Sequence, residues 1–576
     1  MKNYQRFIFI LVILSIVSLF LEQLPDKNLL LKICTNAVDA LLILILCIET
    51  IIPFTKTKYK GLYIASNRFS LIFTLITIIL FAFSKFSHSK IITSNWAVFI
   101  LFFRNLFTIF KAYTRMKKLS NYFERFTANP ARNILLSFVF LILGGTLLLM
   151  VKISTVGEKG ISFIDALFTA TSAACVNGLI VKSTVGDFTL WGQTILILLM
   201  QAGGLGIMLL SFFMVFLFGK RISLQDKMLL SYMLSEDDSS SLRSTVLEIV
   251  AATFIFEGIG AVLLFIGFMP TLGFSLKNVY YSIFHSVSAF CNAGFALYDD
   301  SLESFRLNPL VLLTIAFLII FGGIGFAVLK DLRLFFTERI ASVFRKQKMP
   351  YKRSLSLNTR IVLILTAALL LAGTLLFYFF EHANTMASYG LAEQYLSAFF
   401  QSATLRTAGF TSVPFTNFVL PTYLFMCVLM FIGGNSGGTA GGIKVGTLSV
   451  LYATARAFFR GEDKVTLGRF QVSENKIKSS AVIFVAGIIV VCAAVFLLSI
   501  SEKSARLSRL LFEVVSAITA TGLTAGITTS LSVAGKAIII LLMFFGRLGA
   551  LTIMAAAVFN KDKVNINLPQ ADIAIG

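Results

Sequence analysis

Long apolar runs, each broken by a few polar or glycine residues, recur from one end of the chain to the other. Runs of about 20 apolar residues are long enough to cross a bilayer as helices. Four fall at about 7–22, 38–54, 68–84 and 94–110. The first, within MKNYQRFIFILVILSIVSLFLEQL, has the length of a signal peptide. No small-x-small cleavage site follows it, so it reads as a retained span. A basic stretch comes next, with Lys111, Arg115, Lys117, Lys118, Arg125 and Arg132. Beyond about residue 134 the pattern changes. A unit of apolar span, short semi-polar segment, glycine and second apolar span then occurs four times.

The units align on one glycine each: Gly178, Gly294, Gly409 and Gly522, separated by 116, 115 and 113 residues. Ten residues before each glycine stands a phenylalanine: Phe168, Phe284, Phe399 and Phe512. Six residues before it stands a small residue: Ser172, Ser288, Ala403 and Ser516. A second glycine motif follows 24 to 28 residues later. It reads GGLG at 203–206, GGIG at 322–325, GGNSGG at 433–438 and GRLG at 546–549. Self-similarity at a fixed period marks a repeat architecture, and chance does not reproduce these offsets four times.

The segments before the glycines are DALFTATSAACVNG, YSIFHSVSAFCNAG, LSAFFQSATLRTAG and RLLFEVVSAITATG. Each has room for a helix of about three turns, too short to cross a membrane. Placed between two full spans, each predicts a re-entrant hairpin: a half-helix going in and an extended strand coming back. Non-helical backbone at membrane depth is tolerated only where it is buried in protein or lines a watery cavity. Glycine there permits torsions that turn carbonyls toward an axis, and carbonyl oxygens can replace the water shell of a potassium ion. The C-termini of the half-helices add partial negative charge, which favours a cation. The competing reading is that these glycines only allow helices to pack closely, as they often do in membranes. The shared Phe and small-residue pattern favours the pore.

Composition agrees with the span pattern. Of 576 residues, 57% are hydrophobic and 14% charged, against nearer half and a quarter in a soluble domain. The net charge of +22 could suggest a nucleic-acid partner. Its Lys and Arg instead concentrate in loops between apolar spans, as the positive-inside rule expects. Loop 330–360 holds Lys330, Arg333, Arg339, Arg345, Lys346, Lys348, Lys352, Arg353 and Arg360, and loop 456–478 holds Arg456, Arg460, Lys464, Arg469, Lys476 and Lys478. Both are expected to be cytoplasmic, which puts the N-terminus inside as well. Lys56, Lys58, Lys60 and Arg68 then fall in a cytoplasmic loop, in agreement. The cysteines (Cys34, Cys47, Cys175, Cys291, Cys427, Cys492) form no CxxC pair, and there are only three histidines. Zinc, disulfide and triad chemistry have little support.

At its pore segments the chain resembles the Trk/Ktr/HKT superfamily of potassium transporters, closest to its KtrB/TrkH-type membrane subunits. The matching segments are Val176-Asn177-Gly178-Leu179, Asn292-Ala293-Gly294-Phe295, Thr407-Ala408-Gly409-Phe410 and Ala520-Thr521-Gly522-Leu523. The resemblance covers about residues 130–560. It implies four span–pore loop–span modules around one pore, with K+ bound at these sixteen filter residues. All four filter glycines are present, which in the family goes with potassium selectivity. Asn177 stands where the family pattern has threonine, which bears on how strictly potassium is selected. The alternatives within transport are a sodium-permeable pore and an ion-coupled (Na+ or H+) symporter, since sequence does not separate channel-like from coupled movement. The family also implies a homodimer on a cytosolic ring of nucleotide-binding (RCK-type) regulatory subunits, in a bacterial inner membrane. No covalent cofactor and no nucleic acid is expected.

The third unit carries six glycines in the ten residues Gly433-Gly434-Asn435-Ser436-Gly437-Gly438-Thr439-Ala440-Gly441-Gly442. At about 1 kcal/mol lost per glycine relative to alanine, these cannot sustain an uninterrupted helix. Apolar sequence on both sides argues against a surface linker and for a loop inside the membrane, below the filter. In the resembled family this loop obstructs the pore and moves on activation. Arg547 lies within the last apolar span, and an intramembrane arginine is costly. The expectation is that it touches the 433–442 loop and adds an electrostatic barrier. Glu248 and Glu257 are also nominally within a span and carry no assigned role.

The expected architecture is an all-α polytopic membrane protein. Residues 1–130 form an accessory bundle of about four transmembrane helices. Residues 131–560 form the ion-translocating domain, with repeats at about 131–235, 240–345, 355–465 and 475–560, and 561–576 form a tail. Arg104, Lys111, Arg115 and Lys118, with Asp39 and Glu49 as acidic partners, faintly resemble a voltage sensor. Only Arg104 is clearly inside a span, so an accessory bundle is the better reading. A membrane enzyme would need clustered catalytic side chains, which are not seen. A receptor or sensor without transport leaves the four pore segments unexplained.

Overall fold

The structure is a computed structural model and describes residues 130–157, 160–206, 242–345, 354–415 and 418–549, together with Thr55 and Lys60. The expected N-terminal bundle, the end of the first repeat and the tail lie outside the described residues. Residues 130–150 and 154–549 belong to one compact unit.

Each repeat is built as an outer helix, a short pore helix and an inner helix. In the first these are α1 (Pro130–Met150), α2 (Phe163–Ala174) and α3 (Leu190–Leu205). In the second they are α4 (Leu242–Leu272), α5 (Leu276–Phe290) and α6 (Pro309–Gly323), continued by α7 (Phe326–Arg345). The third has α8 (Leu357–Glu381), α9 (Leu391–Thr404) and α10 (Leu420–Phe431), then α11 (Val445–Phe459). The fourth has α12 (Glu474–Ser501), α13 (Leu507–Ile518) and α14 (Val533–Leu548). Local sequence starts many of them. The side chains of Ser162, Thr189, Ser275, Asn308, Ser356 and Ser532 each accept a first-turn backbone N–H, satisfying a donor that helix geometry leaves free.

The outer helices α4, α8 and α12 are long and apolar enough to cross a membrane, yet expose most of their surface. Ile364, Leu371, Phe379, Ile489 and Phe496 are more than half exposed, as apolar side chains facing lipid should be. The pore helices are the reverse. Phe168, Phe284 and Phe512 are fully buried, and so are the small residues Ser172, Ser288, Ala403 and Ser516.

Packing closes the four repeats on themselves. Each pore helix lies against its own outer helix and against the inner helix of the preceding repeat: α3 on α5, α6 on α9, α10 on α13 and α14 on α2. The last contact joins the end of the chain to its first repeat. A partly buried Lys536–Asp165 ion pair of 2.7 Å reinforces it, between the first turns of α14 and α2.

One expectation is corrected. The basic stretch after residue 330 is largely helix rather than loop. Helix α7 leaves α6 at an angle of 102°. It is held by an Arg333–Glu248 pair of 3.1 Å and by Asp331, which accepts from the Thr359 hydroxyl at 2.7 Å. The helical fold carries one short extended element. Strands β1 (Thr466–Leu467) and β2 (Phe470–Gln471) form a small antiparallel hairpin between α11 and α12.

Candidate ion filter and gate

The four aligned glycines meet. A methyl group added to Gly178 would lie 2.8 Å from the Ala293 carbonyl oxygen, and one on Gly294 would lie 2.8 Å from that of Ala408. One on Gly409 would lie 2.8 Å from the Thr521 oxygen, and one on Gly522 only 2.0 Å from that of Asn177. The contacts therefore run from repeat one to two, to three, to four and back to one. Each repeat contributes one glycine and one carbonyl to the ring.

The backbone of each strand repeats the same torsions. Gly178, Gly294, Gly409 and Gly522 have φ of 98°, 72°, 82° and 82°. Two residues earlier, Val176, Asn292, Thr407 and Ala520 are also left-handed, at 55°, 58°, 68° and 54°. Such torsions cost of order 1–3 kcal/mol for a residue with a side chain and persist only where surroundings impose them. The sequence revealed the glycine but not this second position. Nothing in the residue types Val, Asn, Thr and Ala announces φ > 0, because only the packed ring demands it.

In the first two repeats the serine six positions before the glycine holds its strand. The Ser172 hydroxyl accepts the Gly178 N–H at 3.1 Å, and the Ser288 hydroxyl donates to the Phe295 carbonyl at 2.8 Å. The third repeat departs. Its pore helix caps at Leu405, four residues before Gly409, whereas Cys175, Cys291 and Thr519 cap three before their glycines. Counted from that cap, the buried Ala398 takes the place of Phe168, Phe284 and Phe512; Phe399 is only partly buried, and Phe400 is buried. The buried Arg406 follows that cap and donates to the Thr366 hydroxyl at 3.4 Å. Asn177 turns its side-chain amide onto the Ala517 carbonyl at 2.8 Å, so it braces the first strand against the fourth pore helix. His285 braces the second strand by accepting the Leu297 N–H at 3.2 Å, and Glu513 anchors the fourth by accepting from the Thr528 hydroxyl at 2.8 Å.

The second glycine motif packs against the pore helices. A methyl on Gly203, Gly322 or Gly546 would come within 1.9–2.0 Å of the last carbonyl of its own pore helix: Ala174, Phe290 or Ile518. In the third repeat Gly433 faces the Gly441 carbonyl instead, at 1.9 Å. There the inner helix stops at Phe431 and the chain doubles back. The Gly433 N–H donates to Ile443 and the Ile443 N–H to Phe431, at 3.1 and 3.0 Å. Gly434, Asn435, Thr439, Ala440 and Gly441 are all buried.

The loop is tied to every repeat. Asn435 and Thr439 donate their N–H groups to Gly323 and Gly322, and the Phe326 N–H donates to Gly437, at 2.9–3.1 Å. Ser436 packs its carbonyl against Gly325. The Thr439 hydroxyl donates to the Phe290 carbonyl at 3.1 Å. Arg547 donates to the Thr439 carbonyl at 2.6 Å, and to the Gly203 and Gly204 carbonyls of the first repeat, the latter at 3.2 Å. One guanidinium thus joins repeats one, three and four, as its rigid fork of donors allows. Lys444, which sequence reasoning passed over, donates to the Ala440 carbonyl at 2.7 Å. A lysine two residues after a glycine run and within apolar sequence was the available signal. Glu257 is buried beside Cys291, at 3.9 Å, and touches neither loop nor ring by any hydrogen bond among the described residues.

A ring of four strands, one from each of four span–pore helix–span repeats, with a buried loop tied beneath it, defines a multi-pass membrane protein of the ion-conducting kind. Comparison with known proteins agrees. A family profile described as TrkH, cation transport protein, matches residues 91–566. The Ktr system potassium uptake protein B of Vibrio alginolyticus is 42% identical over 448 residues, 77% of this chain and 94% of that protein. Its namesake in Bacillus subtilis is 36% identical over 78% of this chain and 97% of that protein. The potassium/sodium uptake protein NtpJ of Enterococcus hirae is 34% identical over 76% of this chain and 95% of that protein. The chain belongs to the TrkH family of cation transport proteins. Its fold is also that of the crystal structure of the potassium transporter TrkH from Vibrio parahaemolyticus, with a TM-score of 0.58, 18% identity, and coverage of 85% of this chain and 97% of that one. The family match begins at residue 91, about 40 residues before the expected start of the transport domain, and leaves residues 1–90 outside it.

Proposed function

We propose that this chain carries potassium ions into the cell through the ring of four strands, and that the segment 432–444 is the gate closed beneath it. The observation that carries the reading is the cyclic contact of Gly178, Gly294, Gly409 and Gly522, each against a carbonyl of the next repeat. Four carbonyl-lined strands around one axis offer oxygen ligands that replace an ion's hydration shell. The pore helices turn their C-terminal ends, and hence partial negative charge, toward the same place. Arg547 and the loop it holds add positive charge and bulk on the path below.

The finer features of the reading are a bacterial cytoplasmic membrane, an N-terminus inside, and residues 1–130 as an accessory bundle. They include a homodimer that docks a cytosolic nucleotide-binding ring through its basic faces. Sodium permeation is the second reading, favoured by the potassium/sodium relative and by Asn177 in the first strand. Growth rescue of a potassium-uptake-deficient bacterium at low potassium, paired with rubidium and sodium isotope flux, separates these. Rubidium uptake without sodium uptake is expected. Sodium uptake of similar size establishes the second reading, and no uptake of either ion overturns both.

A further inference from the structure

The proposed gate reaches the proposed filter at two polar side chains: the Thr439 hydroxyl lies 3.3 Å from the Asn292 side-chain amide of the second strand, and the third strand meets the loop through Thr407. Thr407 lies in the third strand, two residues before Gly409, with φ of 68°. Its hydroxyl oxygen accepts the N–H of Gly441, in the loop, at 2.9 Å. Both residues are buried. The equivalent positions in the other strands carry Val176, Asn292 and Ala520. Thr407 is the least comfortable occupant of the four apart from Val176, since β-branched side chains rarely adopt left-handed torsions.

Gly441 sits where it does because nothing larger fits. A methyl there would lie 2.1 Å from the Thr519 carbonyl oxygen and 2.9 Å from the Ala520 Cβ, in the fourth strand. Two residues earlier, the Thr439 hydroxyl bonds the final carbonyl of the second pore helix, and the Thr439 carbonyl takes Arg547. The same short stretch that would have to move for an ion to pass is therefore a support of the filter from below.

We propose that Thr407 is a positioning residue that couples ion selectivity to the state of the gate, through the hydrogen bond its hydroxyl accepts from Gly441. With the loop in place, the bond holds the third strand in its left-handed torsion and the ring is set for potassium. When the loop leaves, the strand loses that support, and discrimination against sodium weakens at that strand first. The inference rests on the filter-and-gate reading above and adds a link between its two parts.

The test is a double-mutant cycle on the purified full-length chain, reading equilibrium binding of rubidium and sodium, which sees the ring while the loop is seated. Thr407→Val removes the hydroxyl at nearly constant shape. It should lower the rubidium-over-sodium ratio of binding constants by roughly fivefold, the loss expected for one buried hydrogen bond, mainly through weaker rubidium binding. Thr407→Ser keeps the acceptor and should restore the ratio, which a purely steric role would not. In a Gly441→Ala background, where the loop is displaced, Thr407→Val should add no further loss. An unchanged ratio in Thr407→Val, no rescue by Ser, or an equal loss in both backgrounds overturns the coupling. Gly409→Ser distinguishes this from failure of the underlying reading. If it alters selectivity while Thr407→Val does not, only the coupling is wrong. If Gly409→Ser is also silent, the filter reading fails with it.

Discussion

The third repeat and the other three start from one pattern and end differently. In repeats one, two and four the inner helix runs past the pore helix, and a glycine lets the two backbones touch: Gly203 on Ala174, Gly322 on Phe290, Gly546 on Ile518. In the third, the helix ends at Phe431 and Gly433 packs against Gly441 of its own returning chain. Its pore helix also ends one residue sooner, and the buried Arg406 follows. Fourfold likeness is kept where the strands meet and given up just beneath. Four equal strands make a ring, whereas only one repeat need supply what closes the passage.

Six substitutions break or sharpen that comparison. The largest effect is expected at the ring. In Gly522→Ala the new methyl would sit 2.0 Å from a backbone oxygen, with φ of 82°. Rubidium uptake should be abolished, and the loss should exceed that of Gly409→Ala, where the distance is 2.8 Å. Equal losses would mean that the tighter fit between repeats four and one has no bearing on conduction. Next come the second-motif glycines. Gly441→Ala should drive the loop from its seat and raise resting flux. Gly203→Ala meets the Ala174 carbonyl at 1.9 Å and should instead reduce the amount of folded protein in the membrane. Gly446, with nothing within 4 Å, is the matched control for both.

A smaller effect is expected for Arg547→Ala. It removes three hydrogen bonds from a charged donor and should raise resting flux by roughly tenfold, given about 1.5–3 kcal/mol for such a bond. Unchanged flux and gating would defeat the role given to this residue. The smallest is Ser172→Ala, which makes the first repeat resemble the third at Ala403. Loss of the bond to the Gly178 N–H should lower thermal stability in detergent by about 1 kcal/mol and leave the wild-type rubidium affinity within about twofold. A large fall in affinity would show that this serine shapes the ring rather than only steadying it.

Much of this was legible because it is local or repeated. The spans follow from runs of apolar residues, and the pore segments from being too short to cross. The aligned glycines stood out because four copies carry the same offsets. What escaped lay in contacts between distant parts. The stretch after 330 read as a basic loop because its charges mask a helix, one that Glu248 and Asp331 hold from elsewhere in the chain. Phe399 was aligned by counting back from Gly409. That count fails because the third pore helix stops a residue early, which puts the buried Ala398 seven residues before its cap, where the other repeats have Phe168, Phe284 and Phe512. Lys444 escaped because a lysine near a glycine run resembles the edge of a span until its amine is seen on the Ala440 carbonyl.

By itself the sequence determined that this is a polytopic helical membrane protein with four pore units and one broken inner helix. Hydropathy, helix length and glycine content are properties of short segments, and a bilayer leaves them few ways to fold. Only the tertiary structure decided that Val176, Asn292, Thr407 and Ala520 turn left-handed, that Asn177 points away from its own strand, and that Arg547 joins three repeats at once. Each of these depends on backbone groups supplied by another repeat, more than 100 residues away in the chain. Local propensity carries no record of such partners, and only ring closure brings them together.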